Sequence, residues 1–133
     1  MQKNWDKKKV FYFIMTLIIA ILIYYASTIE SPSQPETSNF SIIYHFAIFF
    51  MFAFFLLLSI KKEKLDFNAA FITFLISGVY SFLDEIHQLF VPNRFASLKD
   101  VLIDVIGVIC GIILIKLIEN FNEKKYQSIR KKY

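Results

Sequence analysis

Four long apolar blocks, separated by polar connections, constrain this chain more than any other feature of its sequence. The blocks cover residues 10–26, 40–60, 67–83 and 101–118. At a rise of about 1.5 Å per helical residue, each block can cross a hydrocarbon core of about 30 Å. Residues 46–58 include no polar residue, so this block lacks the polar face that a helix of a soluble bundle presents to water. We therefore expect an all-α integral membrane bundle of four transmembrane helices, with residues 1–133 in a single domain.

The composition excludes several other classes of protein. Hydrophobic residues make up 56% of the 133 residues, which is above the usage of ordinary soluble domains. The single cysteine, Cys110, excludes an intrachain disulfide and any CxxC motif, and we expect it to have a packing role. The net charge is +4, but the basic residues flank the apolar blocks and form no stripe. We therefore expect membrane lipids as partners and no nucleic acid.

The distribution of the basic residues predicts the orientation of the helices, because cytoplasmic connections carry the excess of lysine and arginine. Twelve of the fifteen basic residues precede the first block, separate the second from the third, or follow the fourth. Lys116 can extend toward the same side, and only Arg94 and Lys99 lie in the other connections. We therefore expect both termini in the cytoplasm, with a cytoplasmic tail at residues 120–133 that is either a surface helix or frayed. The expected location is the cell membrane, with multi-pass topology.

The first outer connection, residues 27–39, contains Pro32 and Pro35 and is expected to be irregular.

The connection between the third and fourth blocks concentrates ionisable residues. Four carboxylates, a histidine and an arginine fall between residues 84 and 104. If the third helix continues past Leu83, its spacing places five polar residues on one face: Ser77, Ser81, Asp84, Glu85 and Gln88. Pro92 would then stop this helix, since a residue that precedes proline is pushed toward extended geometry. The pattern predicts a polar site at the outer end of the bundle.

A second polar stripe follows on the fourth helix. Ser97 and Asp100 form an S-x-x-D pattern, which predicts that Ser97 caps this helix. Asp100, Asp104, Gly107 and Gly111 then recur on one face. This face should point into the protein, because a carboxylate that faces lipid costs about 2.5 to 3.5 kcal/mol on insertion scales. Gly107 and Gly111 are predicted helix-packing residues, either within the monomer or in a homo-oligomer.

Each candidate also has a plain structural interpretation. His45 is either a packed histidine or part of the site, and His87 is either solvated at the interface or part of it. Arg94 either pairs with Asp84, Glu85 or Asp100, or holds an anionic headgroup. A metal ligand set of His45, Asp84 and Asp104 is conceivable, but with two histidines and no HExxH or CxxC spacing we expect no metal and no cofactor. The predicted ligand-binding residues are His45, Asp84, Glu85, Gln88, Arg94, Asp100 and Asp104.

The spaced polar and glycine positions from Asp84 to Gly111 resemble the signature of the VanZ-like family of small membrane proteins. Ser27 after the first block and His45-Phe46 in the second also match. The chain departs from the family pattern at three positions: Asp104 stands where asparagine is usual, Ile42 where lysine is usual and Phe49 where tyrosine is frequent. The resemblance implies a multi-pass envelope protein, in a family named for an accessory protein of glycopeptide-antibiotic gene clusters that reduces sensitivity to teicoplanin.

Two functional hypotheses follow from these residues. The first is a noncatalytic cell-envelope protein whose outer-leaflet site binds a lipid headgroup, a glycolipid or a glycopeptide-type ligand. The second is a membrane-embedded enzyme that acts on a lipid-linked or glycosidic substrate, with Asp84, Glu85 and Asp104 as acid or base candidates. We favour the first, because no nucleophile lies beside an evident base in the sequence.

Overall fold

The computed structural model describes residues 6–30 and 39–131, which form four α-helices. Their bounds are α1 Lys7–Thr28, α2 Asn39–Ile60, α3 Phe67–Gln88 and α4 Leu98–Arg130. Each helix is long and apolar enough to cross a membrane. The predicted all-α architecture is therefore confirmed, with four helices long and apolar enough to span a membrane, while the orientation of the termini stays a prediction. Most of the predicted irregular connection, residues 31–38 with Pro32 and Pro35, lies outside the described residues.

The helices begin where side chains can cap them. Asp6 accepts a hydrogen bond from the backbone N–H of Lys8 at the start of α1, at 3.0 Å. Asp66 does the same for Ala69 at the start of α3, at 2.7 Å. These aspartates satisfy backbone donors that a helix start leaves without intrahelical partners. Both helices therefore start in polar sequence just before an apolar block.

All four helices are longer than the apolar blocks that predict them, and α3 and α4 extend furthest at their C-terminal ends. α3 continues five residues past Leu83 and ends at Gln88, as its polar face requires. α4 runs unbroken to Arg130, so the tail at residues 120–130 is a helical extension of the last span. Neither glycine nor proline occurs after Gly111, and nothing in the sequence therefore interrupts this helix.

α2 is the central helix of the bundle and packs against the other three. α1 also packs against α3, and α3 against α4, whereas the described parts of α1 and α4 do not contact each other. Contacts between helix ends show that α1 and α3 run in one direction and that α2 and α4 run in the other. The ends of α1 and α3 therefore meet the starts of α2 and α4 at one end of the bundle.

The distribution of polarity is inverted relative to a soluble bundle. Large apolar side chains cover the outside, among them Ile21, Phe71 and Leu102, which are more than half exposed. The interior combines an apolar core around Phe49 and Ile23 with many fully buried polar side chains. In a bilayer the exposed apolar side chains face lipid, and the polar groups must find partners inside the protein. This arrangement concentrates the polar chemistry at one end of the interior.

Candidate functional site

Side chains from all four helices form a buried polar cluster at the end of the bundle where α3 finishes and α4 begins. We call it the polar cluster. All of its members are less than one-tenth exposed, and they are Ser27, His45, Ser77, Ser81, Asp84, Glu85, Gln88, Asp100 and Asp104. The structure thus brings together every predicted ligand-binding residue except Arg94, which is half-buried in the connection beside them. The candidates are brought together because the polar faces of α3 and α4 point at each other and at α2.

Asp104 lies at the centre of the polar cluster and has no exposed surface. One of its oxygens lies 3.0 Å from Nδ1 of His45 on α2. The other accepts a hydrogen bond of 2.7 Å from the Ser81 hydroxyl on α3. Asp104 therefore ties three helices together in a region where backbone and side-chain polar groups have no water to bind.

Asp84 and Glu85 occupy neighbouring positions and share the Gln88 amide as a partner, but each also has a second partner of its own. Asp84 accepts hydrogen bonds from the Ser27 hydroxyl on α1 and, at 3.1 Å, from the amide of Gln88. Glu85 accepts from the same amide at 3.2 Å and from the backbone N–H of Ser97 at 2.7 Å. Asp84 thus connects α3 to α1, and Glu85 connects α3 to the start of α4. The two carboxylates therefore connect different parts of the bundle, and they are not hydrogen-bonded to each other.

Asp100 and Arg94 differ from the other charged residues at this end because they retain unpaired polar atoms. Oδ1 of Asp100 and Nε of Arg94 are both buried and have no hydrogen-bond partner. Among the described residues, no carboxylate lies within 4.0 Å of the Arg94 guanidinium, so the predicted ion pair with Asp84, Glu85 or Asp100 is absent. Serine, glutamine and backbone donors bind Asp84 and Glu85 instead.

The connection from α3 to α4 differs from the prediction in one detail. Ser97 is the N-cap residue of α4, but its side chain makes no capping hydrogen bond. Its backbone N–H donates to Glu85 instead, which attaches the start of α4 to the end of α3. Asn93 has a φ of 59°, in the left-handed region that asparagine tolerates better than most residues, and it reverses the chain after Pro92.

His87 lies apart from the polar cluster, on the α1 side of α3. Its Nε2 is 3.4 Å from the Thr28 hydroxyl, and its ring lies 4.8 Å from the ring of Tyr24. The residue is partly exposed. This placement agrees with the interpretation of His87 as an interfacial residue.

Gly107 and Gly111 allow α4 to lie directly against the backbone of α2. A Cβ atom added to Gly107 would lie 2.5 Å from the carbonyl oxygen of Phe46, and one added to Gly111 would lie 2.8 Å from that of Phe50. Any side chain at these positions would therefore push the two helices apart. Close approach of α4 to α2 within the monomer explains both glycines. It also brings Asp104, which lies one turn before Gly107 on α4, within reach of His45 on α2.

Sequence reasoning missed the partnership of Ser27 with Asp84, which joins residues that are 57 positions apart. The available signals were a small polar residue directly after the first apolar block and its match to the family pattern. Sequence reasoning also placed Asp84 beside His45 in a conceivable metal set. In the structure the residues whose potential ligand atoms converge are His45, Glu85 and Asp104, all within 4.8 Å of one another.

Comparison with known proteins agrees with the pattern of these residues. The family model described as VanZ/LLP1 matches residues 4–119, which include all of the polar cluster. The chain belongs to the VanZ/LLP1 family. No curated protein and no solved structure shows a significant match to the chain.

As a member of the VanZ/LLP1 family, the chain is a multi-pass membrane protein with four helices that are suited to span the bilayer. Asp104, one of its departures from the usual family pattern, is the residue that binds His45 and Ser81. Ile42, another departure, is exposed on the outer face of α2 and does not line the polar cluster. The third, Phe49, is fully buried in the apolar core. Only the Asp104 departure therefore changes the charge of the cluster itself.

Proposed function

We propose that this VanZ-like protein lies in the cell membrane and binds the phosphate-bearing headgroup of a lipid or of a lipid-linked envelope ligand at its outer-leaflet end. The Arg94 guanidinium is the anion-binding group. The observation that carries the proposal is the unpaired, buried Nε of Arg94 beside carboxylates that have other partners. A guanidinium with free donors matches the oxygens of a phosphate in charge and geometry.

Exposed aromatic and aliphatic residues around Arg94 support a lipid as the ligand class. Phe90 is 80% exposed and Phe95 is 65% exposed, and Leu98 at the start of α4 is similarly exposed. Amphipathic and aromatic residues at this level of a membrane protein contact the boundary between headgroups and acyl chains. A ligand that binds Arg94 therefore has apolar surface available beside it, which suits a molecule with both a phosphate and acyl chains.

The polar cluster supports this function by holding the binding end in one conformation. Asp84 is anchored by Ser27 and Gln88, and Glu85 by the Ser97 backbone. The fixed connection keeps Arg94 near the protein interior, where the lower dielectric makes its attraction for an anion stronger than it would be in water. A binding role needs this rigidity and needs no nucleophile.

The experiment is identification of the phospholipids that co-purify with the protein in a mild detergent, by native mass spectrometry. We expect wild-type protein to retain a phosphate-bearing lipid and Arg94→Ala to lose about nine-tenths of it, because the guanidinium is the anion partner. Arg94→Lys should retain an intermediate amount, since an ammonium lacks the planar fork. Lys99→Ala removes an exposed positive charge five residues away and is the matched control.

Equal lipid retention by the wild type and Arg94→Ala would contradict the proposal. Chemical conversion of the retained lipid during incubation would favour the membrane-embedded enzyme instead. Displacement of the lipid by an added glycopeptide would identify a glycopeptide-type ligand for the same site, and an antibiotic sensitivity assay with the same variants would then test a role in resistance.

A further inference from the structure

Three potential metal ligands from three different helices converge inside the polar cluster. A ring nitrogen of His45 on α2 and carboxylate oxygens of Glu85 on α3 and Asp104 on α4 lie within 4.8 Å of one another, and all three residues are buried. We propose that these three residues bind one divalent transition-metal cation. The metal site goes beyond the lipid site and uses residues other than Arg94.

The distances between the three ligand atoms suit a small ion once the side chains move slightly closer together. Ligand atoms about 2.1 Å from a shared cation are at most about 4.2 Å apart. Donors within 4.8 Å of one another therefore need to approach by about 1 Å, which small torsional changes in side chains provide. The helices themselves can keep their positions.

The hydrogen bonds already present leave the carboxylates able to coordinate. One oxygen of Asp104 has Ser81 as its partner, and the two oxygens of Glu85 have Gln88 and Ser97. The other oxygen of Asp104 lies 3.0 Å from Nδ1 of His45, and the metal would replace any proton between them if Nδ1 is the ligand atom. A carboxylate oxygen has two lone-pair positions, so each retains one for a metal. Donors such as Ser81 and the Ser97 backbone would then orient the ligands, an arrangement that is common around protein metal sites.

Asp100 provides an independent indication that a ligand belongs here. The residue is only 6% exposed, and its Oδ1 is enclosed in the protein without a hydrogen-bond partner. It lies one turn before Asp104 on the same buried face of α4. A buried polar oxygen without a partner is unfavourable, and a cation or a cation-bound water would satisfy it.

The charge of the cluster also favours a cation. Four carboxylates are buried at this end of the bundle, and among the described residues the only lysine, arginine or histidine within 4.0 Å of any of them is His45, which is neutral when it binds a metal. Several anionic groups close together in a low-dielectric region repel one another. One divalent ion compensates two of these charges and bonds directly to the groups that carry them.

The donor set indicates the type of ion. Carboxylate oxygens suit Mn²⁺ and Mg²⁺, whereas an imidazole nitrogen suits Zn²⁺ and the other transition metals. One imidazole with two or three carboxylates therefore favours Mn²⁺ or Zn²⁺ over Mg²⁺ and Ca²⁺, which bind mainly oxygen. Either ion, Mn²⁺ or Zn²⁺, would be held by protein ligands at one end of a membrane-spanning bundle.

The test uses the full chain, purified without a histidine tag and stripped with a chelator. Binding of Mn²⁺ and Zn²⁺ alone is measured by isothermal titration calorimetry, with the lipid composition of the samples held constant. We expect one ion per chain, a higher thermal unfolding midpoint with the ion, and affinity lowered by about tenfold or more in Glu85→Gln and His45→Gln. Glu123→Gln removes an exposed carboxylate at the opposite end and should bind as the wild type does.

A spectroscopic readout keeps the proposal testable if the ligand variants do not fold. The chain has only two histidines, so a nitrogen coupling to bound Mn²⁺ in pulsed electron paramagnetic resonance must come from His45 or His87. We expect the coupling to persist in His87→Gln, because that ring lies beside Tyr24 and Thr28. Loss of the coupling in His87→Gln, or its absence from the wild type, would overturn the assignment of His45.

Failure of wild-type protein to bind either ion would also overturn the proposal, as would binding that Glu85→Gln leaves unchanged. Neither result would affect the lipid site, because that site is tested by Arg94→Ala and by phospholipid retention. Conversely, loss of lipid binding with intact metal binding would leave the metal proposal standing.

Discussion

At the scale of single residues, the bilayer changes which interactions decide stability. Burial of apolar side chains contributes little between helices in lipid, because lipid tails are as apolar as the side chains. Hydrogen bonds between buried side chains therefore carry a larger share of the specificity. Ser77 and Ser81 allow a direct comparison, since they lie one turn apart on α3 and both are fully buried. Ser81 donates to Asp104, whereas the Ser77 hydroxyl has no partner.

We predict that Ser81→Ala destabilises the protein by about 1 to 2 kcal/mol, because it removes a hydrogen bond to a buried carboxylate. Ser77→Ala removes a hydroxyl that has no partner and should change the free energy of unfolding by less than about 0.5 kcal/mol. Both values can be measured by unfolding in sodium dodecyl sulfate from mixed micelles. Equal losses in the two variants would show that the bond to Asp104 contributes nothing specific.

Sequence alone predicts most of the members of the polar cluster but little of their pairing. The polar face of α3 follows from helical spacing, and the stripe of Asp100 and Asp104 follows from the cost of exposing a carboxylate to lipid. The partners do not follow, because the bond of Ser27 to Asp84 and that of His45 to Asp104 each join residues more than fifty positions apart. Such pairs depend on how four helices are placed around one another. The absence of an ion pair to Arg94 among the described residues was unpredictable for the same reason, since one donor that binds Asp84 is Ser27 of another helix.

At the scale of helices, the contact between α2 and α4 sets the geometry of the site. Gly107 lies against the backbone at Phe46, one residue after His45. Gly78, in the middle of α3, is also a helical glycine, but a Cβ atom there would meet nothing within 4 Å. The two positions therefore separate the effect of helix packing from that of intrinsic helix preference.

We predict that Gly107→Ala destabilises the bundle by about 1 to 3 kcal/mol, because the new methyl group must displace the backbone of α2. The control Gly78→Ala should be neutral or stabilise the protein by up to about 1 kcal/mol. Thermal unfolding in detergent measures both effects. If Gly107→Ala is as stable as Gly78→Ala, the two helices do not pack as closely as described.

The sequence predicted the location of the helices better than it predicted the residue at which each helix ends. The apolar blocks located all four helices, because a bilayer requires long apolar segments. The ends extended beyond the blocks where polar residues face the interior, as on α3, or face water, as on α4 after residue 118. Hydropathy reports the hydrocarbon region only, so it cannot locate the end of a helix that continues past that region.

At the scale of the whole molecule, the two ends of the bundle have different chemistry. The polar cluster occupies one end, and a small set of ion pairs occupies the other. There Lys61 lies 2.6 Å from Glu119, whose two carboxylate oxygens also share the backbone N–H of Leu65 as a donor. This arrangement attaches the connection between α2 and α3 to α4. The lysines near this end are the basis for predicting that it faces the cytoplasm.

We predict that Lys99→Cys, near the polar cluster, reacts with a membrane-impermeant thiol reagent in intact cells, whereas Lys62→Cys does not. Both lysines are exposed, and they lie at opposite ends of the bundle. Cys110 should first be replaced by alanine so that only the introduced thiol can react. Labelling of Lys62→Cys alone would show that the orientation is the opposite one, with the polar cluster on the cytoplasmic side.

The division of the polar cluster among four helices has a consequence for synthesis of the protein. The chain emerges from the ribosome with its N-terminus first, so α1 and α2 emerge before the carboxylates of α3 and α4. Ser27 and His45 therefore emerge before their partners, which are 57 and 59 positions further along. Asp84 and Asp104, in contrast, each emerge after the helix that holds one of their partners, so a partner is available when the carboxylate enters the bilayer.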